Sequence, residues 1–245
     1  MRIRVIQHAE FEPPGLIGEW AAERGHEIDV IAAWNGAFPQ SGETDMLVVL
    51  GGPMGALQDE AYPWLIAEKR FIAMTIAEGR PVLGVCLGAQ IIATVIGGSV
   101  RRNRESEIGW YEVRRTPEAD ASALFAGWPA SVTVGHWHGD TFELPQGMKS
   151  PLSSSACRNQ AFVFDERVVG LQFHLEWEPG LLGAMVNECR EELVPAGPAV
   201  MSAPELLDGV REHSMSCREL LFDLLDRLSA TGEDRRFDLD CPETP

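Results

Sequence analysis

Short apolar runs alternate with longer segments of helical spacing through the first hundred residues. The runs predict strands at 2–7, 27–32, 46–50 and 81–85, and the 3.6-residue spacing predicts helices at 15–24, 64–78 and 89–96, the last closed by Gly97-Gly98. Strand and helix in alternation predict an α/β fold with a mainly parallel central sheet and helices on both faces. Five β-like stretches follow without long helices between them, at 108–114, 131–137, 153–156, 160–164 and 168–173. They predict an antiparallel extension or a mixed edge on the main sheet. Two C-terminal helices are expected at 180–192 and 203–228, separated by the break Val194-Pro195-Ala196-Gly197-Pro198, and residues 231–245 read as a polar, frayed tail.

A chain of 245 residues is long enough for one large domain with a sizeable core. The net charge of -17 argues against nucleic acid, because phosphate binders present a basic face. Five cysteines, Cys86, Cys157, Cys189, Cys217 and Cys241, stand at irregular spacing with no CxxC pair, which suggests a reducing compartment. No segment reads as a leader peptide or reaches membrane-spanning length, so a cytoplasmic protein without a membrane partner is expected.

Candidate chemistry begins at Gly84-Val85-Cys86-Leu87-Gly88-Ala89-Gln90. One cysteine stands between two glycines, where an apolar strand turns into a helix, and such a turn projects a nucleophile past the carboxyl edge of a sheet. The helix behind it presents its positive dipole end to the sulfur. A buried structural cysteine accounts equally well for this turn alone.

Gln172-Phe173-His174-Leu175-Glu176 closes the last strand, and alternation places His174 and Glu176 on one face. A thiol nucleophile needs an imidazole to take its proton and a third group to orient that imidazole. Gly51-Gly52-Pro53-Met54-Gly55 follows the third strand, and its backbone N–H groups, with that of Leu87, are candidates for an oxyanion site. Read alone, the same loop is equally a phosphate-binding turn or a plain strand-to-helix connection.

His136, His138 and Asp140 fall on one face of a strand and together form a possible ligand set. One strand face rarely supplies a whole site, so no metal is expected.

Taken together, Gly51-Gly52-Pro53, the Cys86 turn and Phe173-His174-Leu175-Glu176 resemble the class I, or triad, glutamine amidotransferases. The resemblance is to stand-alone members similar to the glutaminase domain of GMP synthase, with Glu107-Ile108-Gly109-Trp110 and His138-Gly139-Asp140 as further matches. It implies a flavodoxin-like domain over residues 1–192, with 193–245 as a helical extension and acidic tail packed on it. Cys86, His174 and Glu176 would be catalytic, Gly52 and Leu87 would form the oxyanion hole, and Gln90, Gly139 and Asp140 would bind substrate. Glutamine would be hydrolysed through a γ-glutamyl thioester on Cys86, with no cofactor.

No synthetase half and no phosphate loop with a lysine follows. The resemblance therefore leaves two roles: passing ammonia to a separate synthetase subunit, or acting alone as a hydrolase of glutamine or γ-glutamyl compounds. A non-catalytic regulatory subunit is the alternative from another class, and a redox or glyoxalase-like cysteine ranks lowest, since it needs no His-x-Glu pair.

Overall fold

The computed structural model describes residues 1–39, 44–194 and 198–238, and of 233–238 the helical backbone alone. Six strands form the main sheet in the order β2-β1-β3-β4-β9-β8: β1 (Arg2–Gln7), β2 (Glu27–Ala32), β3 (Met46–Val49), β4 (Val82–Val85), β8 (Ala161–Phe164) and β9 (Val168–Leu171). All neighbours are parallel except β8, which pairs antiparallel with β9 at one edge. The central strands are apolar throughout because both faces are covered. Met46 and Val48 join one core cluster, and Leu47 and Val49 join the other.

The first cluster takes in α1 (Leu16–Glu23), α4 (Pro179–Glu188) and α5 (Ala203–Asp238), through Trp20, Leu182, Leu206, Leu221 and Leu225. On the second face lie α2 (Trp64–Ala77) and α3 (Leu87–Val95), with Leu65, Ile72, Ile91 and Ile92 fully buried. Helix α5 is clasped to α1 by polar contacts: Asp226 accepts the Trp20 indole N–H at 2.8 Å and pairs with Arg24, while Arg218 pairs with Glu19 and Glu23.

The predicted antiparallel extension is a separate three-stranded sheet in the order β6-β5-β7, from β5 (Ser99–Arg115), β6 (Ser131–Glu143) and β7 (Leu152–Ser153). Two of these strands are longer than their apolar patterns. β5 begins at Ser99 rather than 108 and bulges between Arg102 and Glu107, and β6 continues past Trp137 to Glu143. Helix α5 likewise continues to Asp238, beyond the predicted tail boundary, and residues 195–197 of the expected break and 239–245 of the tail lie outside the described residues.

Candidate active site

Cys86 adopts φ 50° and ψ -106° at the junction of β4 and α3. A left-handed non-glycine residue stores strain and is tolerated where the surroundings over-determine it. Here its N–H is fixed to the Leu171 carbonyl at 2.7 Å, and the Gly88 N–H to the Leu50 carbonyl at 3.1 Å. A Cβ on Gly88 would stand 2.0 Å from the Val49 carbonyl oxygen, so glycine is obligatory where α3 starts against β3. Cys86 is 7% exposed, and its thiol donates to the Trp137 carbonyl at 3.4 Å.

His174 and Glu176 come together as expected, but for a different reason. Strand β9 ends at Leu171, so strand alternation does not set their common face. The chain instead leaves the main sheet after β9 and bridges to β6: His174 donates its N–H to the Gly135 carbonyl at 2.7 Å and accepts the Gly135 N–H at 3.2 Å. Held there, His174 donates Nδ1–H to Glu176 Oε1 at 2.6 Å, and the other carboxylate oxygen accepts the Leu175 N–H at 3.1 Å. Burial lowers the His174 imidazole, but the Glu176 charge, the neighbouring Cys86 sulfur and the hydrogen bond to Glu176 outweigh it and raise it well above its ordinary value. The Nε2 atom has no partner of hydrogen-bond geometry among the described residues, leaving it available for proton transfer. A Cβ on Gly51 would stand 2.7 Å from Glu12 Oε2, 3.3 Å from His174 Cε1 and 3.7 Å from the Cys86 Cβ, so all three groups gather against that glycine.

A cleft of about 260 Å³ opens over Cys86 and His174, and Gly52, Leu87, Gln90, Gly139 and Asp140 line it. The Gly52 and Leu87 N–H groups have no acceptor among the described residues. Gln90 donates to the Asp140 carbonyl at 3.3 Å and to Gln172 Oε1 at 3.2 Å, and Gln172 in turn reaches the Cys86 sulfur at 3.8 Å. Arg102 pairs with Asp140 at 3.4 Å on the rim.

Sequence reasoning missed four of these lining or neighbouring groups: Gln172, Arg102, Glu12 and Glu192. Glu12 and Glu192 also line the cleft, and Glu192 accepts the Trp137 indole N–H at 3.0 Å. Burial pushes the Glu12 carboxyl up to about 7, against the attraction of His174 and His8. The other described cysteines are held as thiols: burial raises Cys157, and raises Cys189 and Cys217 to about 12. Cys241 lies outside the described residues.

The expected grouping of His136, His138 and Asp140 is corrected by the β5–β6 register. Asp140 lies opposite Arg102, and Glu107, opposite His138, faces the two imidazoles, so the three groups whose ligating atoms lie within 4.8 Å of one another are Glu107, His136 and His138. His138 Nδ1 donates to the Asp140 carbonyl at 3.0 Å, and its Nε2 lies 3.1 Å from Glu107 Oε2. Glu107 also accepts from Ser154 at 2.6 Å and Gln160 at 2.8 Å. Burial alone would raise the Glu107 carboxyl, but these hydrogen bonds and the two imidazoles leave it below the ordinary range. Burial drives His136 down to about 3, which keeps it neutral.

Comparison with known proteins gives the same picture of the fold. The glutamine amidotransferase-like protein YfeJ of Salmonella typhimurium is 32% identical over 201 residues, covering 80% of this chain and 84% of that protein. GMP synthase of Listeria monocytogenes is 31% identical over 139 residues, 56% of this chain but only 25% of the synthase. A glutamine amidotransferase of Thermotoga maritima superposes with a TM-score of 0.85 at 32% identity, covering 94% of this chain and 98% of that one. One from Methylobacillus flagellatus does so at 0.85 and 28%, covering 94% of each. The family described as glutamine amidotransferase class-I matches residues 19–189, and the chain belongs to that family.

Proposed function

We propose that the protein hydrolyses the side-chain amide of glutamine through a γ-glutamyl thioester on Cys86. The observation that carries this reading is the strained Cys86 turn beside His174, whose Nδ1 is fixed to Glu176 at 2.6 Å. Cys86 Sγ, its proton passed to His174 Nε2, attacks the amide carbon. The resulting oxyanion accepts hydrogen bonds from the Gly52 and Leu87 N–H groups. His174 returns the proton to the departing nitrogen and ammonia leaves. Water, deprotonated by His174, then attacks the thioester and releases glutamate and the Cys86 thiol.

At the amino-acid end, Asp140 and Arg102 form a matched pair on the cleft rim, suited to an α-ammonium and an α-carboxylate respectively. Gln90 and Gly139 complete that end. Residues 1–192 would carry the whole site and 193–245 the extension, in a cytoplasmic enzyme without cofactor. The ammonia would go to solvent or to a separate synthetase subunit.

A second reading, γ-glutamyl hydrolase or peptidase, is favoured by one feature: the cleft continues to Met185, Cys189 and Glu192, which offers space for a leaving amine larger than ammonia. Assays with glutamine and with γ-glutamyl peptides, each compared with Cys86→Ala, separate the readings by their relative kcat/KM. A mass increase of one γ-glutamyl group on Cys86 is expected during turnover. Turnover that survives Cys86→Ala overturns both. A protein that neither turns over nor reacts at Cys86 with a glutamine-analogue alkylator would instead be the non-catalytic subunit.

A further inference from the structure

Beside the glycine loop lies a further buried histidine–carboxylate pair that the reaction above does not use. His8, directly after β1, is 1% exposed, and Glu68 of α2 is 0% exposed. One ring nitrogen, Nδ1, lies 2.9 Å from the Gly51 carbonyl oxygen, and the other, Nε2, lies 2.9 Å from Glu68 Oε1. A carbonyl oxygen can only accept, so Nδ1 carries a proton and donates it. Trp64 stacks on the ring at 5.7 Å and 26°, which fixes its plane.

The consequence follows from peptide geometry. The Gly51–Gly52 peptide is trans and planar, so its C=O and N–H point in opposite directions. A bond joining two glycines has little steric preference between its two orientations, and something outside it must choose. We propose that His8, held by Glu68, is the positioning residue that fixes the Gly51 carbonyl away from the cleft and thereby turns the Gly52 N–H into it as an oxyanion donor. This rests on the reading of Gly52 given above. The same side chain also dictates the loop's composition, since a Cβ on Gly52 would stand 2.6 Å from the His8 Cβ.

Two further observations fit a device kept for positioning rather than for packing. Glu68 Oε2 is buried with no partner among the described residues, a cost that an apolar pair of the same shape would avoid. Burial lowers the His8 imidazole, yet the Glu68 charge and hydrogen bond more than offset it. A proton shared between His8 and Glu68 polarises the peptide it holds, and so strengthens the N–H at the other end.

The test compares His8→Leu, which removes the donor, with His8→Asn, which keeps an N–H donor near the position of Nδ1. For glutamine, His8→Leu is expected to lower kcat about 10²–10³-fold with KM within about twofold, the loss typical of one oxyanion donor. His8→Asn should recover kcat to within about tenfold of the parent. Alkylation of Cys86 by iodoacetamide, which forms no oxyanion, should keep its rate in both variants. Crystal structures should show the Gly51 carbonyl rotated toward the cleft in His8→Leu and unrotated in His8→Asn. An unrotated peptide in His8→Leu overturns the proposal, as does unchanged kcat, or a kcat loss matched by an equal loss of alkylation rate. Should the parent protein hydrolyse no γ-glutamyl amide, the reaction assigned above fails, and the orientation of the peptide still decides the role of His8.

Discussion

His174 lies flat on Trp177, with ring centroids 4.6 Å apart and planes 18° from parallel, and the six-membered ring of the indole fills the space where a Gly135 side chain would stand. The imidazole is thus fixed from three directions: by the Glu176 carboxylate, by the backbone bridge to Gly135 and by the Trp177 face.

Gly135→Ala therefore strikes the site without touching a reacting group. The new methyl would stand 2.3 Å from Trp177 Cε3, so the indole must move and carry His174 with it. Overpacking of this kind costs about 1–3 kcal/mol. Melting curves should show a fall of roughly 2–10 °C. Glutamine hydrolysis should fall by about tenfold or more, since small misplacements of a reacting group are costly.

The raised Glu12 carboxyl has a definite sign for stability. With its value at about 7 in the folded protein against 4.5 as the ordinary value, the native state holds a proton that the unfolded chain has lost. Stability is then full below about 4.5 and falls as pH rises through about 7. Glu12→Gln removes the penalty, so it should stabilise the protein by on the order of 3 kcal/mol at pH 8 and hardly at all at pH 4.5. Urea unfolding at the two pH values checks this, and equal effects at both would contradict it.

Glu107→Gln should act the other way. It withdraws the charge facing His138 and His136 in a fully enclosed site and is expected to cost roughly 3–5 kcal/mol, the usual result of breaking a buried pair. Because the Glu107 carboxyl lies below its ordinary value, its contribution is present above about pH 4.5 and fades as pH falls through the lower folded value. Elemental analysis of the purified protein should find metal well below one equivalent, since both Glu107 oxygens are already engaged by Ser154 and Gln160. Stoichiometric zinc would refute that.

Arg102→Ala addresses the rim. If Arg102 holds the substrate carboxylate, KM for glutamine should rise about tenfold with kcat little changed, because that contact is the same in the ground and transition states. Steady-state kinetics on glutamine suffices, and an unchanged KM removes Arg102 from the substrate site.

What the sequence made legible was whatever is signalled locally. The Cys86 turn carries its own markers, two glycines and a change from strand to helix within five residues, and the His-x-Glu pair is adjacent in the chain. Residues 99–107 gave no such signal: Arg, Asn, Glu and Ser dominate both faces, and the strand exists because β6 pairs with it. For the same reason Glu107 could not be matched with His136 and His138, since its position depends on a register set across two strands and a bulge. His8, Glu12 and Glu68 were hidden differently. Each is an ordinary polar residue at the end of a strand, in a loop or on a helix, and becomes notable only when the fold encloses it.

The clasp between α1 and α5 also bears on the order in which the molecule is completed. Trp20 and its partner Asp226 are 206 residues apart in the chain. At ordinary rates of synthesis α5 emerges roughly 10–40 s after α1. During that interval Ile17, Trp20 and Ala21 lack the cover they have in the finished protein. Leu16, on the same helix, is tied by its N–H to the Glu176 carbonyl. The strand of chain that bears the His174 imidazole is thus anchored to a helix that must itself await a distant partner, and a nascent chain acquires its reactive geometry late.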